Sequence, residues 1–431
     1  MADDAITVSM YNVGFGDCFL LRLPGGERER RVLIDCGSIK RGIEGGTDAV
    51  VAQLINDVTD DDGARIDVVV ASHRHRDHVS GFADPAWRDV AVEEVWLPWT
   101  ENPDDDDAVR ILNEMASFAA SLAEEQPRLR GLSVDQEQLL GHVIDNTLGL
   151  SNEPAMATLH RGFRDGRNGA RRRFLPERET GSIGCPALPG VTVHVLGPSR
   201  DEAVIRDMDP PSDEGFLRLA GHGLDGNGDR GQVFPDWPVE NFEDRYPLPE
   251  RLRERLERMS IEAAVLGAVA LEKAVNNTSL MLAFEIGESV LLFPGDSQWG
   301  TWELNLDDPR VTDLLRRTKF YKVGHHGSHN ATPTRFVRQV LPDAGPVVAA
   351  VSVTPHGRFT EIPEPKLIEA LGERIGPKRV VRSDQPPIED RDGSEVRVIP
   401  AADSAAHNGD EDAAGEDEAK AIRIDFTIPI G

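Results

Sequence analysis

The chain predicts a mixed α/β fold, and two observations carry that expectation. Short apolar runs of strand length gather towards both ends, and in each half they are followed by segments of helical periodicity. A length of 431 residues, 39% of them hydrophobic, is enough to bury a sizeable core. It is long for one domain, but single α/β enzymes with insertions reach this size.

The elements follow in order. Residues 6–12, 18–23 and 31–35 alternate or run apolar and read as strands, with Gly25-Gly26 turning the second pair. Thr47 is the expected cap of a helix whose apolar face is Val50, Val51, Leu54, Ile55 and Val58. Residues 66–71 form a buried strand and 94–97 the next. The pattern then changes. Residues 101–190 hold a charge run at 104–107, an amphipathic helix at 109–125 and Gly- and Arg-rich sequence, and read as a cap inserted over one face. Residues 191–196 return to strand, and 199–260 form a second insertion, rich in Asp, Pro and Arg, with a helix near 250–259. Residues 276–286 and 290–293 pair as strands, helix 311–317 leads to a strand at 320–323, and 333–341 is helical. A strand at 347–353 and a helix at 363–375, with Pro in its first turn, complete the second half. Residues 1–400 thus form the main domain. Within 401–431, the acidic stretch 403–420 is a flexible hairpin tip and 421–430 a closing strand.

The most informative run is His73-Arg74-His75-Arg76-Asp77-His78, directly after the apolar strand 66–71. Three imidazoles and a carboxylate within six positions of a turn have no use in core packing and make a good first shell for zinc or a similar cation. In an extended chain His73 and His75 point the same way, so they can grip one cation, while Asp77 and His78 are placed for a second. Two further strands end in ligand-type residues, at Pro294-Gly295-Asp296-Ser297 and at Gly324-His325-His326-Gly327-Ser328-His329. Strand ends are well-fixed backbone and suit a preorganised centre.

Taken with Tyr11-Asn12-Val13-Gly14-Phe15-Gly16-Asp17-Cys18, Leu33-Ile34-Asp35-Cys36-Gly37, Val195-Leu196-Gly197-Pro198, Asn276-Asn277-Thr278-Ser279-Leu280 and Lys322-Val323, these motifs resemble the metallo-β-lactamase superfamily. They are most similar to the branch that includes the catalytic domain of bacterial competence DNA-uptake proteins. The resemblance runs from near residue 6 to about residue 375. It implies a four-layer αββα sandwich and two divalent metal ions, zinc or manganese. It puts His73 and His75 on metal 1, Asp77 and His78 on metal 2, Asp296 between them, and one of His325 and His326 completing metal 2. His325 is the expected ligand because it comes first after the strand, which leaves His326 as a proton donor. The family's further histidine on metal 1 is not evident here. Asn277 or Asn276 stands in its place, or His222 from the second insertion supplies it. An amide oxygen there would suit manganese better than zinc. Ser328, His329 and His356 are further candidates for metal or substrate contact, His356 because it lies in a loop at a strand end.

Two adjacent cations lower the pKa of a shared water, so that hydroxide exists near neutral pH, and polarise the electrophile, with Asp77 orienting the nucleophile. The expected activity is therefore metal-dependent hydrolysis of a phosphodiester, in a nucleic acid or nucleotide. An ester, thioester or lactone hydrolase is the alternative within the superfamily, and a non-enzymatic partner-binding member the alternative outside catalysis. The net charge of −28 argues against broad coating of nucleic acid. Arg161, Arg164, Arg167, Arg171, Arg172, Arg173 and Arg178 form a local basic run, read as a solvated face balancing acidic neighbours. Cys18, Cys36 and Cys185 build no disulfide framework and point to a reducing compartment. The acidic start, Met1-Ala2-Asp3-Asp4, is unlike a secretion signal, and residues 261–275 are broken by Glu262 and Glu272, so no segment reads as a membrane span. The expectation is a cytoplasmic protein whose insertions could meet a protein partner or a second copy.

Overall fold

A computed structural model describes residues 5–430 except 27, 130–131, 135, 138–139, 142, 145–151, 165–168, 178–180, 212, 217–260, 344, 357–360, 388–395 and 401–420. Among these residues the chain forms two large sheets. The first is nine-stranded. Its path runs Val396–Pro400, Ala421–Pro429, Ala5–Tyr11, Cys18–Leu23, Arg30–Cys36, Gly63–Val70, Ala91–Pro98, Arg171–Leu175, with Thr59–Asp60 beside Gly63–Val70. The second is seven-stranded, in the order Gly181–Ile183, Thr192–Gly197, Met281–Ile286, Ser289–Phe293, Thr318–Lys322, Val348–Val351, Val380–Arg382. The closing strand lies antiparallel along the first one, from Ala5 opposite Pro429 to Tyr11 opposite Arg423.

Period-two alternation decides which side chains meet. Val8, Phe19, Ile34, Val68 and Trp96 of the first sheet share one buried cluster with Val193, Leu282, Leu291, Phe320 and Val348 of the second. The other face of the first sheet (Leu20, Leu33, Val69, Val95) packs on Val50, Val51 and Leu54 of helix Gly46–Asp57. The other face of the second (Leu292, Tyr321, Ala349) packs on Trp302 of helix Trp299–Leu306 and on Leu367 and Leu371 of helix Pro365–Ile375. A fourth cluster joins Ile111, Met115 and Ala119 of helix Asp106–Glu125 to Ala264, Ala268 and Leu271 of helix Ile261–Asn276. Each Val, Leu, Ile, Phe or Met side chain among them taken fully out of water contributes roughly 1.5–3 kcal/mol before entropy is subtracted.

Several expectations shift. Helix Gly46–Asp57 starts from Gly45, whose φ of 77° is open to glycine, and Thr47 lies within the helix instead of capping it. Residues 276–280 are not strand: the helix runs to Asn276 and the strand begins at Met281. The helical stretch expected at 333–341 runs over residues 334–340, its last five residues, Phe336–Val340, in a wider π-type turn. Arg171–Leu175, in the stretch read as an insertion, adds a parallel strand beside Ala91–Pro98. Arg173 is consequently buried, bonding Glu177 at 2.9 Å and facing Glu94 at 3.8 Å, and so is no part of a solvated face. The three cysteines are free and buried. No helix among the described residues is long and apolar enough to cross a membrane. The expected helix near 250–259, the acidic tip 403–420, Arg167 and Arg178 lie outside the described residues.

Candidate metal centre

Three strands deliver the ligand-type residues from their carboxyl ends. Gly63–Val70 runs into Ser72 and the histidine motif, Ser289–Phe293 into Asp296, and Thr318–Lys322 into His325 and His326. After His75, extended at φ −64° and ψ 149°, the chain turns into the short helix Arg76–Val79, which swings Asp77 and His78 inward. Gly37 allows this turn to sit close, because a Cβ there would lie 2.6 Å from the backbone of Arg76, Asp77 and His78. From outside, Arg74 pairs with Glu101 at 3.0 Å, and Asn152 Nδ2 donates to the Arg74 carbonyl at 2.8 Å.

One ligand atom each from Asp77, His78, Asp296 and His326 lies within 4.8 Å of all the others, and all four residues are buried. His78 Nε2 is 3.2 Å from Asp296 Oδ2, and His326 Nε2 is 3.1 Å from Asp77 Oδ2. His73 adjoins this group: its ring centroid is 4.2 Å from that of His78 and 4.6 Å from that of His75. The side chain of His73 is buried, and its Nε2 makes no hydrogen bond among the described residues. Clustered imidazole nitrogens and carboxylate oxygens, shielded from water, fit a divalent cation.

The surroundings orient each ring. His78 Nδ1 donates to Asp35 Oδ2 at 2.8 Å, and Asp35 also accepts from the Ser72 backbone and hydroxyl, both at 2.7 Å. His326 Nδ1 donates to the Ser352 carbonyl at 2.9 Å, which turns Nε2 towards the cluster. Such outer partners fix the tautomer a metal-facing imidazole needs. A second acidic grouping, Asp17, Asp35 and His78, lies behind the first. There Lys322, fully buried, pairs with Asp17 and stands 3.5 Å from Asp296 Oδ1, so an ammonium already supplies the positive charge.

Charge follows from this geometry. Burial opposes the charged form of His78, yet Asp296, Asp35 and Asp77 hold it well above the usual imidazole range. His326 is raised likewise, burial being outweighed by Asp17, Asp77 and Asp296. Burial, then the neighbouring His78 and His75, hold His73 well below its ordinary value. Burial would raise Asp77, but His78 and His326 hold its carboxyl well below the usual range. Asp296 is held down in the same way by His78 and His325.

The His325-His326 pair differs from the sequence expectation. Both residues have left-handed backbone, φ 44° and 52°, followed by Gly327 at φ 85°. This conformation sends His326 inward to the cluster, where His325 was expected. His325 keeps 21% of its side chain exposed, with Nε2 3.9 Å from Asp296 Oδ2, and burial pushes it down to about 4. Left-handed non-glycine residues carry a cost and gather at functional sites.

Among the other candidates, Asn277 is not available as a ligand. Its Nδ2 donates to the Val204 and Ile205 carbonyls at 2.9 Å, and its Oδ1 accepts from Gln298 N and Thr301 Oγ1. Asn276 is buried, and its amide oxygen and nitrogen bond no described residue. Ser328 donates to Asn330 Oδ1 at 2.9 Å and holds the loop, while His329 is exposed. The His356 ring packs 5.3 Å from Phe15, which in turn lies 4.6 Å from His326, so His356 reaches the rim. His222 lies outside the described residues.

Sequence reasoning assigned no role to Asp17, Asp35, Ser72, Lys322 or Glu272. Asp17 and Asp35 had a visible signal, being charged residues set among apolar strands. Glu272 comes from helix Ile261–Asn276 and places Oε2 3.9 Å from His75 Nε2. Burial, then the charges of Asp77 and Asp296, push its carboxyl up to about 8. Compared with known proteins, the chain matches no family model and no curated protein.

Proposed function

We propose that the chain is a metal-dependent hydrolase of the metallo-β-lactamase type that cleaves phosphodiesters. The observation that carries this reading is the buried convergence of Asp77, His78, Asp296 and His326, with His73 and His75 beside it. Two sheets sharing one core, with helices packed on the far face of each, are what a four-layer αββα sandwich requires. The motif order supports membership of the branch that includes the competence-type domains.

In this reading Asp77, His78, Asp296 and His326 hold one cation, and His73 and His75 hold another. Bound divalent cations would supply an activated water near neutral pH and neutralise the charge that develops on a phosphoryl group. The protein's own part is orientation. Asp35 and Ser352 lock the His78 and His326 rings, and Lys322 offsets the surplus negative charge of Asp17 and Asp296. His325 takes the substrate side. A neutral imidazole there can donate a hydrogen bond to a phosphoryl oxygen or to the leaving group. His326 is thus a ligand and His325 the substrate contact, the reverse of the sequence expectation.

Elemental analysis of purified protein, with a panel of bis(p-nitrophenyl) phosphate, p-nitrophenyl acetate and a chromogenic lactam, tests the proposal. Manganese- or zinc-dependent cleavage of the phosphodiester, abolished by chelator, is expected. Cleavage confined to the ester or lactam would move the assignment to the other hydrolases, and bound metal without any turnover would favour a binding role.

A further inference from the structure

Helix Ile261–Asn276 is fixed by its apolar side. Ala264, Ala268, Leu271 and Val275 are buried against helix Asp106–Glu125 and its neighbours. Glu272 follows Leu271 by about 100° around the helix and therefore projects beside that packed stripe, with Asn276 one turn further on the same face. This is the face that meets the histidine motif. Glu272 Oε2 stands 3.9 Å from His75 Nε2 and keeps 22% of its side chain exposed, while His75 keeps 2%. Glu272 thus brings a third carboxylate to the side of the centre that holds Asp77 and Asp296, whose charges it feels.

We infer that Glu272 is a metal ligand, completing with His73, His75 and Asp296 a first cation site of two imidazole nitrogens and two carboxylate oxygens. The inference rests on the metal reading above and supplies the ligand that neither Asn277 nor a further histidine provides. Ligands about 2.1 Å from one ion stand roughly 3.0–3.5 Å apart, so Glu272 and His75 must close from 3.9 Å, and His73 and Asp296, which do not group with them within 4.8 Å, must draw in as the ion binds. The buried His73 Nε2, with no hydrogen-bond partner among the described residues, gains a partner in the same step. Two carboxylates in place of a third imidazole make the site harder, so it should favour manganese over zinc more than a three-histidine site would.

Equilibrium dialysis of the full chain against manganese or zinc, followed by elemental analysis, tests this without recourse to activity. The unaltered protein should hold two manganese ions per chain. Glu272→Gln, which keeps the side-chain volume, should hold one at the same free metal, its first-site affinity lowered at least about 10-fold. Glu272→His should regain the second ion when zinc is supplied, and it decides the matter if circular dichroism shows Glu272→Gln to be unfolded. Two equally tight manganese ions in Glu272→Gln, or Glu272→His holding no more zinc than Glu272→Gln, would overturn the assignment of Glu272 while leaving the metal reading intact. One ion in both the unaltered protein and Glu272→Gln also overturns it. No metal in either overturns the metal reading itself.

Discussion

Asp77 lies between two imidazoles, facing His78 at 3.9 Å and His326 at 3.1 Å within the buried cluster. Asp77→Asn keeps the volume and removes the charge that, in the proposed reading, holds a cation. Phosphodiester turnover is expected to fall at least about 100-fold with the circular dichroism spectrum unchanged; a folded Asp77→Asn protein with full activity would contradict the reading. The histidine pair makes a sharper test. His326→Ala should lose bound metal, while His325→Ala should keep it and lose rate, most of all on substrates with poor leaving groups. Equal metal loss in both would reject the division between them. The motif at 73–78 was legible because its residues are consecutive and their spacing is their geometry. The choice between His325 and His326 was not, because it depends on left-handed backbone at both positions, which residue types do not announce. Glu272 was hidden for another reason: in sequence it is an interruption of an apolar stretch, and only the fold brings it to His75.

At the scale of elements, the site depends on the turn after strand Gly63–Val70 lying tightly against the turn after strand Arg30–Cys36. Gly37→Ala places a methyl group 2.6 Å from the backbone of Arg76, Asp77 and His78, with no flexible side chain to give way. The variant should lose about 1–3 kcal/mol of stability in thermal denaturation under chelator and also bind metal more weakly, since the helix Arg76–Val79 must move. Gly184→Ala, which meets nothing within 4 Å, is the control and should do neither. Equal melting temperatures for the two variants would show that this turn is not tightly held. Strands such as Cys18–Leu23 were readable because apolar runs bounded by turn residues have few other uses. Residues 276–280 were misread because Asn276-Asn277-Thr278-Ser279 resembles a loop before a strand, whereas the helix persists to Asn276 and the Asn277 side chain then stitches the turn to residues 204 and 205.

For the whole molecule, the α/β class and the closing strand were legible, since Ala421–Pro429 alternates and pairs with Ala5–Tyr11 along its full length. The strand Arg171–Leu175 was not, because three consecutive arginines read as surface until Glu94 and Trp96 are seen beneath them. Concentrating buried charge in one centre also makes global stability depend on pH in the metal-free protein. His78 and His326 lie above their ordinary values, and Glu272 is raised to about 8. Unfolded histidine releases its proton near about pH 6.5 and unfolded glutamate near about pH 4.3. Above about pH 6.5 the folded state therefore holds protons that the unfolded chain has lost, and the stability they confer disappears as pH rises through the folded values. His73 and His325 are lowered, so their opposite contribution belongs below that window, and Asp77 and Asp296 act only at still lower pH. The melting temperature under chelator should consequently fall from about pH 6.5 to about pH 8.5, each proton contributing up to roughly 1.4 kcal/mol per pH unit. Added manganese or zinc takes the place of those protons, because metal-bound imidazole and carboxylate are deprotonated, and should flatten the decline. A metal-free profile that stays level across this window would show that the histidines and Glu272 do not share one electrostatic centre.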